Sequence, residues 1–123
     1  MYDRLLAIET LKNIENSLCE VVEWSRNITS VDNFVTSSTG MILLNALCMK
    51  LITVGEEIKN LDRHTGGELL KHYPAVPWKQ IKGLRDIIAH RYFSLDADII
   101  LSVIKVDIQP LLVVIRQMKV DLM

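Results

Sequence analysis

Apolar residues recur every three or four positions along two long stretches of the chain, which is the spacing of a helical stripe. The first stretch predicts a helix from about Tyr2 to Asn27, with a stripe formed by Ala7, Leu11, Ile14, Leu18, Val21, Ser25 and Ile28. The second predicts a helix from about Ser38 to Leu61, with a stripe formed by Met41, Leu44, Cys48, Leu51, Gly55 and Ile58. This second helix has a further apolar flank, formed by Ile42, Ala46, Met49 and Ile52. A helix with two apolar faces is expected to be central to a bundle or to form part of a subunit interface.

The connecting segments carry turn residues. Between the two helices, Val31 and Phe34 predict a short turn packed on the bundle. After the second helix, two glycines and two prolines in "DRHTGGELLKHYPAVP" predict a loop, with one helical turn around Glu68 to Lys71.

Two further helices follow this loop. Pro77 suits the first position of a third helix, whose buried edge would be Trp78, Ile81, Leu84 and Ile88. Ser94 or Asp96 would cap the last helix, and Pro110 predicts a kink near Val106 to Gln109 because it removes a backbone hydrogen bond.

No segment alternates with the period of a strand. The predicted fold is all-α, an antiparallel up-and-down bundle of four to five helices. Since the chain contains no repeat, linker or low-complexity tract, residues 1–123 are expected to form a single domain.

Composition and charge restrict the possible functions. The net charge of −1 gives no overall attraction to nucleic acid or to an anionic membrane. The local charge between residues 79 and 91 is positive, because Lys79, Lys82, Arg85 and Arg91 are accompanied only by Asp86.

Cys19 and Cys48 lie in helical patterns and are expected to be reduced core thiols, although two cysteines also allow a single disulfide bridge between them. Neither a signal peptide nor a membrane-spanning segment is predicted, so we expect a cytoplasmic protein.

Arg85, His90 and Tyr92 are the candidate functional residues. At about 100° per residue, Arg85 and Tyr92 share one face of a helix, whereas His90 lies about 140° from Arg85. One straight helix therefore cannot place all three together. Either the helix ends around Ala89 to Arg91, or two subunits share a composite site near a twofold axis.

An arginine and a histidine suit the cleavage of RNA. A histidine can exchange protons with the ribose 2′-hydroxyl and the leaving 5′-oxygen, and an arginine can stabilise the charge on the phosphate. The alternative is a structural role, in which the arginine is a capping cation and the histidine is a hydrogen-bonded surface imidazole. Judged by spacing alone, this role is more common than catalysis for an arginine and a histidine at a helix end.

Glu56 and Asn45 are candidate supporting residues, because eleven positions place them on nearly the same face of the second helix. They would mark a cavity or an interface near the basic helix; alternatively, Glu56 would pair at the surface with Lys59 or Lys82. His64 and His72 have no acidic or cysteine partner at ligand spacing. No metal site and no cofactor are therefore expected.

The string "RDIIAHRY" contains an arginine, four residues, a histidine, one residue and a tyrosine, and it resembles the HEPN-domain toxins of the HepT type, also known as the DUF86 family. The segments "GMILLNALCMKLITVGEEIKNLD" and "YPAVPWKQIKGLRDIIAHRYFSLDADII" are similar to the family pattern in order and spacing. The likeness extends from about Val31 to Pro110, and the first helix contributes little to it.

The resemblance implies a HEPN-like helical bundle that forms a homodimer, with Arg85 and His90 of both subunits at the interface. It implies a metal-independent endoribonuclease that acts on RNA as the toxin of a toxin–antitoxin pair. The implied partner is a nucleotidyltransferase-fold antitoxin, which would transfer AMP to Tyr92 and could join the toxin in a larger hetero-oligomer. Arg91 and Lys82 are possible supporting cations. The alternative is a non-catalytic helical module that binds nucleotide or RNA and partners a nucleotidyltransferase, which the near-neutral net charge favours slightly.

Overall fold

Helices form the regular structure of this protein. A computed structural model describes residues 2–92 and 97–123, leaving aside the side chains of residues 91 and 92, and those ranges contain no strand. The α-helices are α1 (Arg4–Trp24), α2 (Asp32–Val35), α3 (Ser38–His64), α4 (Trp78–Lys82), α5 (Leu84–Tyr92), α6 (Ala97–Ser102) and α7 (Ile108–Leu122). A 3-10 turn spans Leu70–His72, and a π-helical turn spans Val103–Asp107. The all-α prediction is confirmed.

Local capping explains where the two long helices begin. The side chain of Asp3 accepts a hydrogen bond from the Leu6 amide and caps α1, and Ser37 accepts from Gly40 and caps α3. At the far end of α3, Gly66 has a φ of 63°, a left-handed conformation that glycine adopts without strain. The predicted first helix is therefore slightly too long at both ends, and the predicted second helix ends one turn too early.

Helices α1 and α7 run antiparallel, as contacts near both ends show. Arg4 Nη1 donates to the Leu122 carbonyl over 2.6 Å, and Lys105 Nζ donates to the Ser25 carbonyl over 2.9 Å. Between these contacts, the carboxylate of Glu15 accepts hydrogen bonds from the side chains of two α7 cations, Lys119 and Arg116. Those bonds, that of Lys119 foremost, lower the pKa of the Glu15 carboxyl.

Helix α3 is central to the bundle, because it packs against α1, α2, α4 and α5. Phe34 of α2 is fully buried, which confirms the predicted packed turn. The second apolar flank of α3 has a different environment: Ile42 is 69% exposed and Met49 is 62% exposed. The central position thus does not account for that flank, and a subunit interface stays the prediction for it.

Among the described residues, α3 is the one helix long and apolar enough to cross a membrane, judged by length and composition alone. The core helix of a soluble bundle meets the same criterion, so the length and composition of α3 are weak support for a membrane span. The apolar stripe of α3 packs into the core of the bundle, where these residues are all buried: Leu44, Leu47, Cys48, Leu51, Val54, Ile58 and Leu61.

The predicted third helix is divided. It forms as α4 and α5, with Gly83 between them, and Pro77 precedes the first helical residue instead of being that residue. Of its predicted buried edge, Leu84 and Ile88 are buried, whereas Trp78 and Ile81 are only half-buried. The predicted caps of the last helix, Ser94 and Asp96, lie outside the described residues.

Pro110 produces the predicted irregularity one turn earlier than expected. The π-helical turn Val103–Asp107 immediately precedes α7, in which Pro110 is the third residue. Proline cannot donate to the carbonyl one turn before it, and a π-turn is a common way to accommodate that missing bond.

Both cysteines are free, as expected of reduced thiols. Cys48 is buried, and burial raises the pKa of its thiol. Cys19 is half-buried, and Arg116 Nη2 lies 3.5 Å from its sulfur.

Candidate active site

A close approach of two helices positions the candidate site. A Cβ at Gly55 of α3 would lie 2.8 Å from the Ile81 carbonyl oxygen and 3.2 Å from the Leu84 Cβ. The absence of a side chain at Gly55 therefore lets the α4–α5 pair lie directly on α3. Glu56 and Arg85 are the next residues on the two facing helices, so this contact brings them together.

Arg85 and Glu56 form a loose ion pair. Arg85 Nη1 lies 4.0 Å from Glu56 Oε1, and the arginine side chain is 66% exposed. Lys59 Nζ lies 3.5 Å from the same oxygen. That oxygen is buried, and no described group donates it a hydrogen bond. The carboxylate thus faces two cations, and each of them keeps at least half of its access to solvent.

His90 lies on the same helix as Arg85 and is exposed. Because α5 continues to Tyr92, the prediction that the helix ends around Ala89 to Arg91 and releases His90 is wrong. The helical angle of about 140° between Arg85 and His90 is retained. A single chain therefore presents the two side chains on different faces of α5.

The other predicted site residues have separate environments. Lys82 pairs with Asp62 over 2.9 Å, so the predicted alternative of a Glu56–Lys82 pair is wrong and the Glu56–Lys59 pair is confirmed. Asn45 is half-buried, and its Nδ2 donates to the Met41 carbonyl over 2.8 Å. The side chains of Arg91 and Tyr92 lie outside the described residues.

A cavity of about 480 Å³ borders α5 but contains none of the candidate residues. Its walls are mostly apolar, including Ile81, Ile87, Val103 and Leu111, and Gln80 and Asp107 are the polar residues among them. This lining contains a carboxylate and no cation, so it offers no positive charge to a phosphate group. The exposed surface around Arg85 suits a polymeric anion better than an enclosed small molecule.

No group of three metal-ligating side chains occurs in residues 2–92 and 97–123. Among the described residues, Arg85 has its ion-pair contact with Glu56, which Lys59 also faces. This arrangement can bind an anion through charge and hydrogen bonds at the protein surface.

The fold and the site define a class of protein: an all-α bundle that exposes an arginine and a histidine on one helix. The chain belongs to the HepT-like ribonuclease family, since the family model described as "Ribonuclease HepT-like" matches residues 7–118.

Individual relatives agree with this assignment. The chain is 33% identical over 101 residues to a Methanocaldococcus jannaschii protein named "Gamma-glutamylcyclotransferase and putative RNase", a match covering 82% of this chain and 42% of the relative. The chain therefore spans less than half of that protein. A Thermococcus cleftensis protein named "Probable ribonuclease HepT" is 26% identical over 101 residues, which cover 82% of this chain and 84% of the relative. No solved structure gives a significant match.

Proposed function

We propose that this protein is a metal-independent endoribonuclease and the toxin of a cytoplasmic toxin–antitoxin pair. The observation that carries the proposal is an exposed arginine, held beside Glu56 by the Gly55 contact, on the same helix as an exposed histidine. Membership of a ribonuclease family supports RNA as the substrate.

The proposed reaction is attack by a ribose 2′-oxygen on the neighbouring phosphorus. His90 removes the proton of the 2′-hydroxyl as the new P–O bond forms. The bond from phosphorus to the 5′-oxygen breaks, and that oxygen takes a proton from a histidine as it leaves. Arg85 binds the phosphate and stabilises the charge that accumulates in the transition state. The products are a 2′,3′-cyclic phosphate and a 5′-hydroxyl.

We assign the complete site to a homodimer. Within one chain, Arg85 and His90 point to different sides of α5, so a second subunit is the simplest source of the missing group. The exposed flank of α3 supports such an interface. Ile42, Met49 and Glu56 are seven residues apart in turn, so this exposed apolar strip leads along α3 to the carboxylate beside Arg85.

The proposed regulator is a nucleotidyltransferase-fold antitoxin that modifies Tyr92. The phenol oxygen would attack the α-phosphorus of ATP, pyrophosphate would leave, and the phenolic proton would pass to solvent. Seven positions separate Tyr92 from Arg85, which on an ideal helix is nearly the same face, so an added phosphate is expected to repel RNA from Arg85. Intact mass after co-expression with such a partner tests this step, and AMP added equally to Tyr92→Phe rejects it.

RNA cleavage in EDTA tests the activity itself. We expect wild-type dimer to leave 2′,3′-cyclic phosphate ends, and His90→Ala and Arg85→Ala each to lower kcat by about 100-fold or more. His72→Ala and Arg26→Ala are matched controls, since both residues are exposed and distant in sequence from α5. Equal cleavage by the α5 variants and the controls rejects the assigned residues. RNA binding without turnover, unchanged in His90→Ala, favours the non-catalytic module instead.

A further inference from the structure

Lys59 is a cation beside the candidate site that the proposed reaction does not use. Its Nζ lies 3.5 Å from Glu56 Oε1, and Arg85 Nη1 lies 4.0 Å from the same atom. Since both nitrogens are within 4.0 Å of one oxygen, they are at most about 8 Å apart. The Lys59 and Arg85 side chains are 50% and 66% exposed, so both can meet a ligand from solvent.

The neighbouring charges show that this pair of cations is incompletely compensated. One carboxylate, that of Glu56, faces two positive charges, and neither cation makes a hydrogen bond with its buried oxygen. Lys82, by contrast, is 2.9 Å from its own partner, Asp62. Among the described residues, Lys59 and Arg85 therefore share one carboxylate, whereas Lys82 has one of its own.

A further cation continues from Lys59 along α3. Arg63 follows four residues later, so the two side chains lie on one face of the helix. Arg63 Nη2 donates a hydrogen bond to Asn60 Oδ1 over 2.7 Å. Because the asparagine side chain is neutral, this bond does not compensate the positive charge of Arg63. Arg85, Lys59 and Arg63 thus form a row of cations at the surface.

From this row we infer that Lys59 binds the RNA phosphate next to the one held by Arg85, and that Arg63 binds the one beyond it. The inference rests on the proposed ribonuclease function and extends it to a subsite for the flanking strand. A single strand presents one negative charge per nucleotide, and a row of point charges binds it without reading its sequence. Glu56 is then a positioning residue, whose buried oxygen keeps Lys59 and Arg85 side by side.

The salt dependence of RNA binding tests this subsite. The measurement uses the His90→Ala chain, so that RNA is not consumed, and a single-stranded oligoribonucleotide of mixed sequence. Each phosphate contact on a single strand contributes about 0.7 to the slope of log affinity against log salt. We expect Lys59→Ala to reduce the slope by about 0.7 and Lys59→Ala with Arg63→Ala to reduce it by about 1.4.

Lys71→Ala is the matched control. Lys71 also pairs with a glutamate three residues before it, over 2.8 Å, and its side chain is 58% exposed, but it lies in the 3-10 turn. The slope of this control should equal that of the parent chain. If Lys59→Ala and Lys71→Ala have the same slope, or if the parent chain binds no RNA, the subsite is refuted. A reduced slope in Lys59→Ala, together with a wild-type chain that cleaves no RNA, retains the subsite and rejects only the proposed activity.

Discussion

Gly55→Ala tests whether the contact between α3 and the α4–α5 pair fixes the candidate site. The new methyl group would lie 2.8 Å from the Ile81 carbonyl oxygen and 3.2 Å from the Leu84 Cβ. A backbone oxygen and a Cβ cannot rotate away as the end of a long side chain can. The two helices must therefore separate by several tenths of an ångström, and Arg85 must move with Leu84.

The expected loss of stability follows from two opposing effects. Overpacking against a backbone oxygen at this distance should cost about 2–3 kcal/mol, the upper part of the usual range, and alanine in place of glycine inside a helix returns about 1 kcal/mol. The net loss should be about 1–2 kcal/mol. Gly83→Ala is the control, because its nearest neighbours would lie 3.5 and 3.6 Å from the new methyl group and its φ is −89°. That change should be neutral or stabilise by up to about 1 kcal/mol.

Thermal and urea denaturation of the two variants measure this difference. At about 4 °C per kcal/mol for a domain of this size, we expect Gly55→Ala to melt about 4–8 °C below wild type. RNA cleavage by Gly55→Ala should also fall, by about 10- to 100-fold, because Arg85 is displaced from Glu56. Equal melting temperatures for Gly55→Ala and Gly83→Ala would refute the close-contact explanation. A Gly55→Ala variant that is destabilised but fully active would show that the contact stabilises the fold without positioning the candidate site.

Two further predictions concern charge and assembly. Because two cations of α7 lower the pKa of the Glu15 carboxyl, its stabilising effect is complete above the ordinary carboxyl pKa and is lost as the pH falls through the lowered value. Glu15→Gln should thus be less stable than wild type in urea at pH 7, and the difference should shrink as the pH is lowered to 3; an equal difference at both pH values contradicts the assigned pairing. Met49→Asp should convert the proposed dimer to a monomer in light scattering, whereas Val113→Asp, at 63% exposure compared with 62% for Met49, should not. Dimers in both variants exclude the α3 flank as the interface.

The pattern of apolar residues was sufficient to predict the helices that form the core. The stripe from Ala7 to Val21 is buried throughout α1, and the stripe from Leu44 to Ile58 is buried in α3. These predictions succeeded because helical periodicity is local and the burial of one face dominates the stability of an amphipathic helix. Pro110 was equally informative, since the missing amide acts within one turn of its own position.

The break at Gly83 was less predictable. The sequence allows one continuous helix from Trp78 onward, because glycine only weakens a helix and does not end it. In the folded chain, α4 and α5 must both follow the surface of α3 at Gly55, and that requirement comes from residues almost thirty positions away. Long-range packing therefore decided a boundary that local propensity left open.

The sequence alone determined the all-α class, the two long helices, the irregularity before Pro110 and the choice of Arg85 and His90 as candidate residues. Only the tertiary structure decided which charges meet: Lys82 turns to Asp62, while Glu56 faces Lys59 and Arg85 together. The physical reason is that side-chain spacing fixes the face of a helix on which a charge lies. The partner of that charge depends on how closely two helices approach, and here that distance is set by the missing side chain of Gly55.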